Sequence, residues 1–257
     1  MVRVPFASCT EYVPEAGANV PEGRKGLRNR FHVALASSIH VMSDRTLPGA
    51  LGLAPVHEYS LPTPASGTYS VQEANGTRTI QINNLPVDGR IGDWPMSRYA
   101  ALTAIDPNPG TPAARSYTFT LPAAPAVNVT PTCLPLGAIG VTTNGVIIYN
   151  AADARGNDAV AHEIVDAHGG HPAQTDYHYH FVPERLDRSA LNDGHSGIVG
   201  YIRDGFPIYG YKGVGGIELR NSDLDECHGH SHGSLGYHYH ATLEYPYTVG
   251  CYRGTPR

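Results

Sequence analysis

Polar and apolar residues alternate along TYSVQEANGTRTIQINNL, from Thr68 to Leu85, with Asn75-Gly76 near the centre of the run. A period of 2 interrupted by Asn-Gly is the pattern of two antiparallel strands joined by a tight turn, so a β-hairpin is expected there. RSYTFTL, from Arg115 to Leu121, alternates in the same way and predicts a further strand. The Ala- and Pro-rich stretch 122–135 reads as a connector, with a boundary near residue 130. Ahead of the hairpin, Phe31 to Met42 (FHVALASSIHVM) is apolar enough for a buried strand or a short helix, and periodicity does not choose between them.

Beyond the connector the chain repeats itself. IGVTTNGVIIY, from Ile139 to Tyr149, matches VGYIRDGFPIY, from Val199 to Tyr209, at an offset of 60, and Tyr177-His178-Tyr179-His180 matches Tyr237-His238-Tyr239-His240 at the same offset. Asn144-Gly145 and Asp204-Gly205 are again hairpin signals between apolar strands. With one residue inserted in the second copy, Asp166, His168 and His171 align with Asp225, Cys227 and His230. Two copies of a strand-hairpin-YHYH unit are therefore expected, over roughly 137–182 and 197–242, facing each other in a shared sheet or barrel, since two copies are too few for a solenoid. The fold class that follows is mainly β with short helices, a β-sandwich or barrel-like. Three regions are read: 1–67, an N-terminal extension; 68–130, a β-rich part; and 131–257, the duplicated region.

Composition agrees with short strands and many turns: 257 residues contain 29 Gly, 21 Pro and 16 Tyr, and only 16% are charged. The net charge of -5 includes no basic run, so a nucleic-acid backbone is not an expected partner. No apolar stretch is long enough to span a membrane as a helix. Cys9, Cys133, Cys227 and Cys251 form no C-x-x-C pair, which points to disulfides and an oxidising compartment; the start, MVRVPFASCTEYV, has no apolar signal-peptide region, so a secreted or periplasmic location implies a leader outside this chain.

Eleven of the fourteen histidines lie between His162 and His240. On a strand, Tyr-His-Tyr-His puts both imidazoles on one face and both phenols on the other. Each tetrapeptide then offers a pair of nitrogen ligands, with His171 or His230 on the entering loop as a third. Imidazole nitrogen selects a transition metal, zinc or copper, over calcium or magnesium. The expected ligands are His171, His178, His180, His230, His238 and His240. They fit one site per copy, or a single site shared by His178, His180, His238 and His240. Three histidines leave a position for water, whereas four close a tetrahedral shell.

His168, His228 and His232 read as a solvated Gly/His-rich turn or a scavenger of adventitious ions, and His32, His40, His57 and His195 as ordinary hydrogen-bonding residues. His162-Glu163 begins like a zincin helix, but Asp166 stands where the second histidine is required. Asp166, Glu163 and Asp225 are the acid/base candidates near the histidines. Tyr177, Tyr179, Tyr237 and Tyr239 are assigned to packing. Neither a G-x-S-x-G elbow, a G-x-G-x-x-G loop nor a P-loop occurs, which argues against serine hydrolases and nucleotide cofactors.

The tetrapeptides, together with DGFPIYG from Asp204, DLDEC from Asp223 and YPYTVGCYRG from Tyr245, resemble the second half of the YHYH-domain family. INNLP from Ile82 and YTFTL from Tyr117 resemble its first half. The likeness covers roughly residues 68–254. It implies a secreted protein with a metal-related role and no established reaction. The family's usual cysteine near His168 is missing, which makes His168 an extra candidate ligand. Cys227 and Cys251 are retained and imply a bridge worth about 3 kcal/mol in the chain-entropy model, leaving Cys9 with Cys133.

Three functions follow. The first is a secreted zinc or copper protein, extended to a hydrolase of an unidentified small molecule or extracellular polymer if the shell keeps an open position. The second is a metal-free Tyr/His hydrolase or lyase acting on an extracellular polymer. The third is a non-catalytic matrix or copper-handling module. Oligomeric state is not readable from the chain.

Overall fold

The structure, a computed structural model, describes residues 66–92, 94–95 and 110–257. The stretch Phe31–Met42 and Cys9 lie outside these residues. The expected hairpin is formed by β1 (Tyr69–Ala74) and β2 (Thr77–Ile82), paired antiparallel with Ala74 opposite Thr77. Asn75 and Gly76 have φ of 51° and 73°, the left-handed pair that a two-residue turn of this twist requires. The third strand, β3 (Tyr117–Pro122), lies antiparallel to β2, giving a three-stranded sheet.

The second sheet has eight strands: β4 (Ala138–Thr142), β5 (Ile147–Tyr149), β6 (His171–Ala173), β7 (Asp176–Tyr179), β8 (Ile198–Ile202), β9 (Pro207–Tyr209), β10 (Gly229–His232) and β11 (Gly236–His240). Their order is β10-β11-β9-β8-β4-β5-β7-β6. Reading outward from the central β4/β8 pair, one side runs β5, β7, β6 and the other β9, β11, β10. The registers correspond. Gly140 pairs with Ile202 and Thr142 with Gly200 across the centre, while Ile148 pairs with Tyr179 on one side and Ile208 with Tyr239 on the other.

Both Asn/Asp-Gly turns are built alike: Gly145 N–H donates to the Thr142 carbonyl (3.0 Å) and Gly205 N–H to that of Ile202 (2.8 Å), each glycine at positive φ. β6 and β10 end the sheet without pairing to each other, so the fold is sandwich-like and not a closed barrel. Ile80, Ile82 and Leu121 of the smaller sheet pack with Val141 and Ile147 of the larger one. Ile139, Ile148, Ile202, Ile208 and Tyr239 belong to a separate buried cluster. Strands buried on both faces read as continuous apolar runs, which is why Val146-Ile147-Ile148 shows no alternation. A disulfide joins Cys227 to Cys251, as the family resemblance implied. Among the described residues no helix is long and apolar enough to cross a membrane.

Candidate metal centres

The Tyr-His-Tyr-His strands distribute their side chains as a period of 2 demands. Tyr177 and Tyr179 meet edge-to-face at 5.7 Å between centroids on one face of β7, and Tyr237 and Tyr239 do so at 5.5 Å on β11. Their hydroxyls are tied down: Tyr177 donates to Asp166 (2.8 Å), Tyr237 to Asp225 (2.9 Å) and Tyr239 to Asp204 (2.5 Å), while Tyr179 accepts from Arg185 (2.6 Å). Burial, with the facing carboxylates, pushes the Tyr177, Tyr237 and Tyr239 phenols well above the ordinary range. These rings are packing groups, as the alternation predicted.

On the opposite face the histidines converge in two separate clusters, one in each half of the sheet, and not in one shared site. His178 Nε2 lies 3.0 Å from His180 Nε2, which lies 3.1 Å from His171 Nε2. His171 faces His178 directly across the β6/β7 ladder. Glu163 joins this group, its Oε2 3.1 Å from His171 Nε2 and 3.4 Å from His180 Nε2. It is placed by the short helix α1 (Ala159–His162), whose N-cap Asp158 accepts from Val160 and Ala161 N–H and whose C-cap is Glu163 itself. Although burial raises the Glu163 carboxyl, its contacts with the His171 and His180 imidazoles outweigh this and hold it well below the carboxylate range.

In the other half, His195 Nε2 stands 3.2 Å from His238 Nε2 and 3.1 Å from His240 Nε2, and His230 Nε2 stands 3.1 Å from His238 Nε2. His195, read from the sequence as an ordinary hydrogen-bonding residue, is thus a full member of the cluster. It comes from the turn before β8, outside any His-x-His pattern, so no local signal marks it.

The outer nitrogen of most rings is committed. His178 Nδ1 meets the Asp176 carbonyl (2.9 Å), His180 that of Asn150 (2.6 Å), His195 that of Ser196 (2.7 Å), His238 that of Gly236 (2.9 Å) and His240 that of Gly210 (2.7 Å). A carbonyl can only accept, so each Nδ1 carries the proton and each neutral ring presents a bare lone pair at Nε2. Those lone pairs face one another at contact distance in buried sites, an arrangement that is repulsive unless a cation sits among them. On three of these rings a proton is not held at neutral pH. Burial, reinforced by the neighbouring imidazoles, takes His238 down to about 4 and His240 to about 3, and holds His178 well below the histidine range. For a tetrahedral ion with bonds of about 2.0–2.1 Å the donor atoms would be about 3.3 Å apart, close to the separations here. The residues present therefore fit a transition-metal ion at each cluster.

Asp166 and Asp225 stand apart from the imidazole nitrogens and do equivalent work in the two halves. Asp166 Oδ1 accepts from His168 N–H (2.8 Å) and Gly170 N–H (3.2 Å), and Asp225 Oδ1 from Cys227 and Gly229 N–H (both 2.9 Å). Asp166 Oδ2 also accepts from Gly92 N–H and Trp94 Nε1. Each carboxylate ties the loop before its third histidine, His171 or His230, to a tyrosine of the Tyr-His-Tyr-His strand. Of the three acid/base candidates only Glu163 touches a cluster. His168 belongs to neither cluster. His228 is buried in hydrogen bonds to the Thr248 carbonyl and Asn221, and His232 pairs with Asp193 at 3.1 Å.

Residues 118–219 match the family model described as YHYH protein. That stretch is similar to the YHYH family. The match is narrower than the likeness over 68–254: it contains the first cluster and His195 and ends before β10 and β11. Comparison with curated proteins and with solved structures returned no match. The YHYH motif itself supplies His178 and His180, two of the converging nitrogens of the first cluster.

Proposed function

We propose that this protein is a secreted transition-metal binder holding one ion in each half of its larger sheet. His171, His178, His180 and Glu163 form one shell; His195, His230, His238 and His240 form the other. The observation that carries the reading is the set of Nδ1–H groups that His178, His180, His195, His238 and His240 direct onto backbone carbonyls, which leaves the Nε2 lone pairs of these five buried rings converging in two places. Nitrogen donors without thiolate suit zinc or copper(II), and the Cys227–Cys251 bridge suits an oxidising compartment. Metal analysis of protein purified without a metal-affinity column is expected to find about two ions per chain. His178→Ala/His180→Ala should remove one and His238→Ala/His240→Ala the other. Retention of full stoichiometry in both double variants would refute the assignment.

Glu163 favours a second reading, hydrolysis at the first site. It is the one non-imidazole donor and is partly exposed, so its displacement leaves a three-histidine shell with an open position and a carboxylate base beside it. Zinc-loaded protein should then cleave some member of an ester, phosphoester or polysaccharide panel, and Glu163→Gln should abolish turnover without removing the ion. Absence of turnover across the panel leaves binding as the function.

A further inference from the structure

The second shell is closed by four histidines and nearly inaccessible: His195, His238 and His240 are fully buried, and only His230 reaches the partly exposed class. An ion entering or leaving must pass on the His230 side. His232 lies two residues along β10 from His230, one rung further toward the turn, opposite Gly236 where His230 is opposite His238. Its ring stacks on that of His195, 5.6 Å between centroids and 11° between planes. Its Nε2 is 3.1 Å from Asp193 Oδ2, and both side chains are partly exposed, at 32% and 40%.

The pair sits in an open cleft between residues 190–193 and 232–235. Asp193 is held in place: its carbonyl accepts from Gly215 N–H and its Oδ1 from His195 N–H. The first half lacks this pair. The position two residues beyond His171 on β6 is Ala173, so the two sites differ at their mouths although their strands correspond.

We infer that His232 and Asp193 are exchange ligands, a solvent-reachable imidazole–carboxylate pair that takes an incoming divalent transition-metal ion from water and hands it to His230. The inference rests on the metal-binding reading above. No bond order changes: one metal–ligand bond forms as another breaks, so the pair accelerates entry and exit equally and leaves affinity unaltered.

The test uses the full chain carrying His178→Ala/His180→Ala, so that only the second site is loaded, with zinc as the probe. Uptake from buffered zinc and release to a chromogenic chelator are timed. His232→Ala and Asp193→Asn, the latter keeping an acceptor for His195 N–H, should each slow both directions by about tenfold or more, with occupancy at equilibrium unchanged. Unchanged rates would overturn the inference, and so would a loss of equilibrium affinity, which would make His232 a resident ligand. A parent chain that takes up no zinc would instead overturn the second metal site itself.

Discussion

In metal-free protein the buried imidazoles make stability depend on pH in a window where few other groups titrate. His240 is neutral in the fold, with burial and the adjacent His238 and His195 rings taking its pKa from 6.5 down to about 3. In the unfolded chain it returns to the ordinary value, so between pH 6.5 and 3 the unfolded state binds more protons than the native state. Stability is therefore complete above pH 6.5 and is lost as pH falls, at roughly 1.4 kcal/mol per unit for each such histidine. By pH 5 His240 alone accounts for about 2 kcal/mol, a sizeable share of the 5–15 kcal/mol typical of a domain. Glu163, whose carboxyl is depressed, loses its contribution only as pH falls through its ordinary value of 4.5 and below, under the lowest pH of the assay.

The assay is urea denaturation followed by far-UV circular dichroism, in chelator, at pH 7.5, 6 and 5. His240→Gln, whose amide can still donate to the Gly210 carbonyl, should flatten the pH dependence by about 2 kcal/mol between pH 7.5 and 5. Zinc at a hundredfold excess over its dissociation constant should add about 2.7 kcal/mol per site at pH 7.5 and move the acid transition to lower pH. Equal stability at pH 7.5 and 5 in chelator would show that the native imidazoles are protonated, and the lone-pair argument for metal would fall with it.

Three further outcomes are expected. Gly170→Ala would bring a Cβ to 2.4 Å from Cζ of Tyr177; it should cost about 1–3 kcal/mol and weaken zinc binding at the first site only, read by chelator competition. Asp225→Ala releases the loop before His230 and should lower second-site affinity by about 10–100-fold, with the first site unchanged in the same competition. Cys227→Ser/Cys251→Ser opens a loop of sequence separation 24 and should lower denaturant stability by about 3 kcal/mol, while a variant as stable as the parent would contradict the bridge.

Local rules made much of the site legible. Period-2 geometry needs no tertiary information, so the division of Tyr177, His178, Tyr179 and His180 between two faces followed from the tetrapeptide alone. Asn75-Gly76, Asn144-Gly145 and Asp204-Gly205 marked their turns because left-handed backbone is available to few residues. The aspartates were harder. Asp166 and Asp225 are acid/base candidates from their closeness to histidines in sequence; in the fold Oδ1 of each accepts from N–H groups of its own loop and Oδ2 from a tyrosine hydroxyl. Glu163 was found for a similar reason of proximity, and there the short capped helix turns it inward.

The chain alone determined that imidazole pairs would be presented twice, on strands, with their phenols turned away. Whether the pairs would converge in one cluster or two was a question of strand order. The β4/β8 centre places β7 and β11 on opposite sides of the sheet, and that long-range pairing separates the two clusters. His195 shows the same limit most clearly. It stands 43 residues before its neighbour His238, with no periodic relation to it, and becomes a donor because β8 and β9 carry its turn to the β11 face. Side-chain direction is a local property of the backbone, whereas convergence of donors from distant segments is set by sheet topology, and only the folded chain contains that.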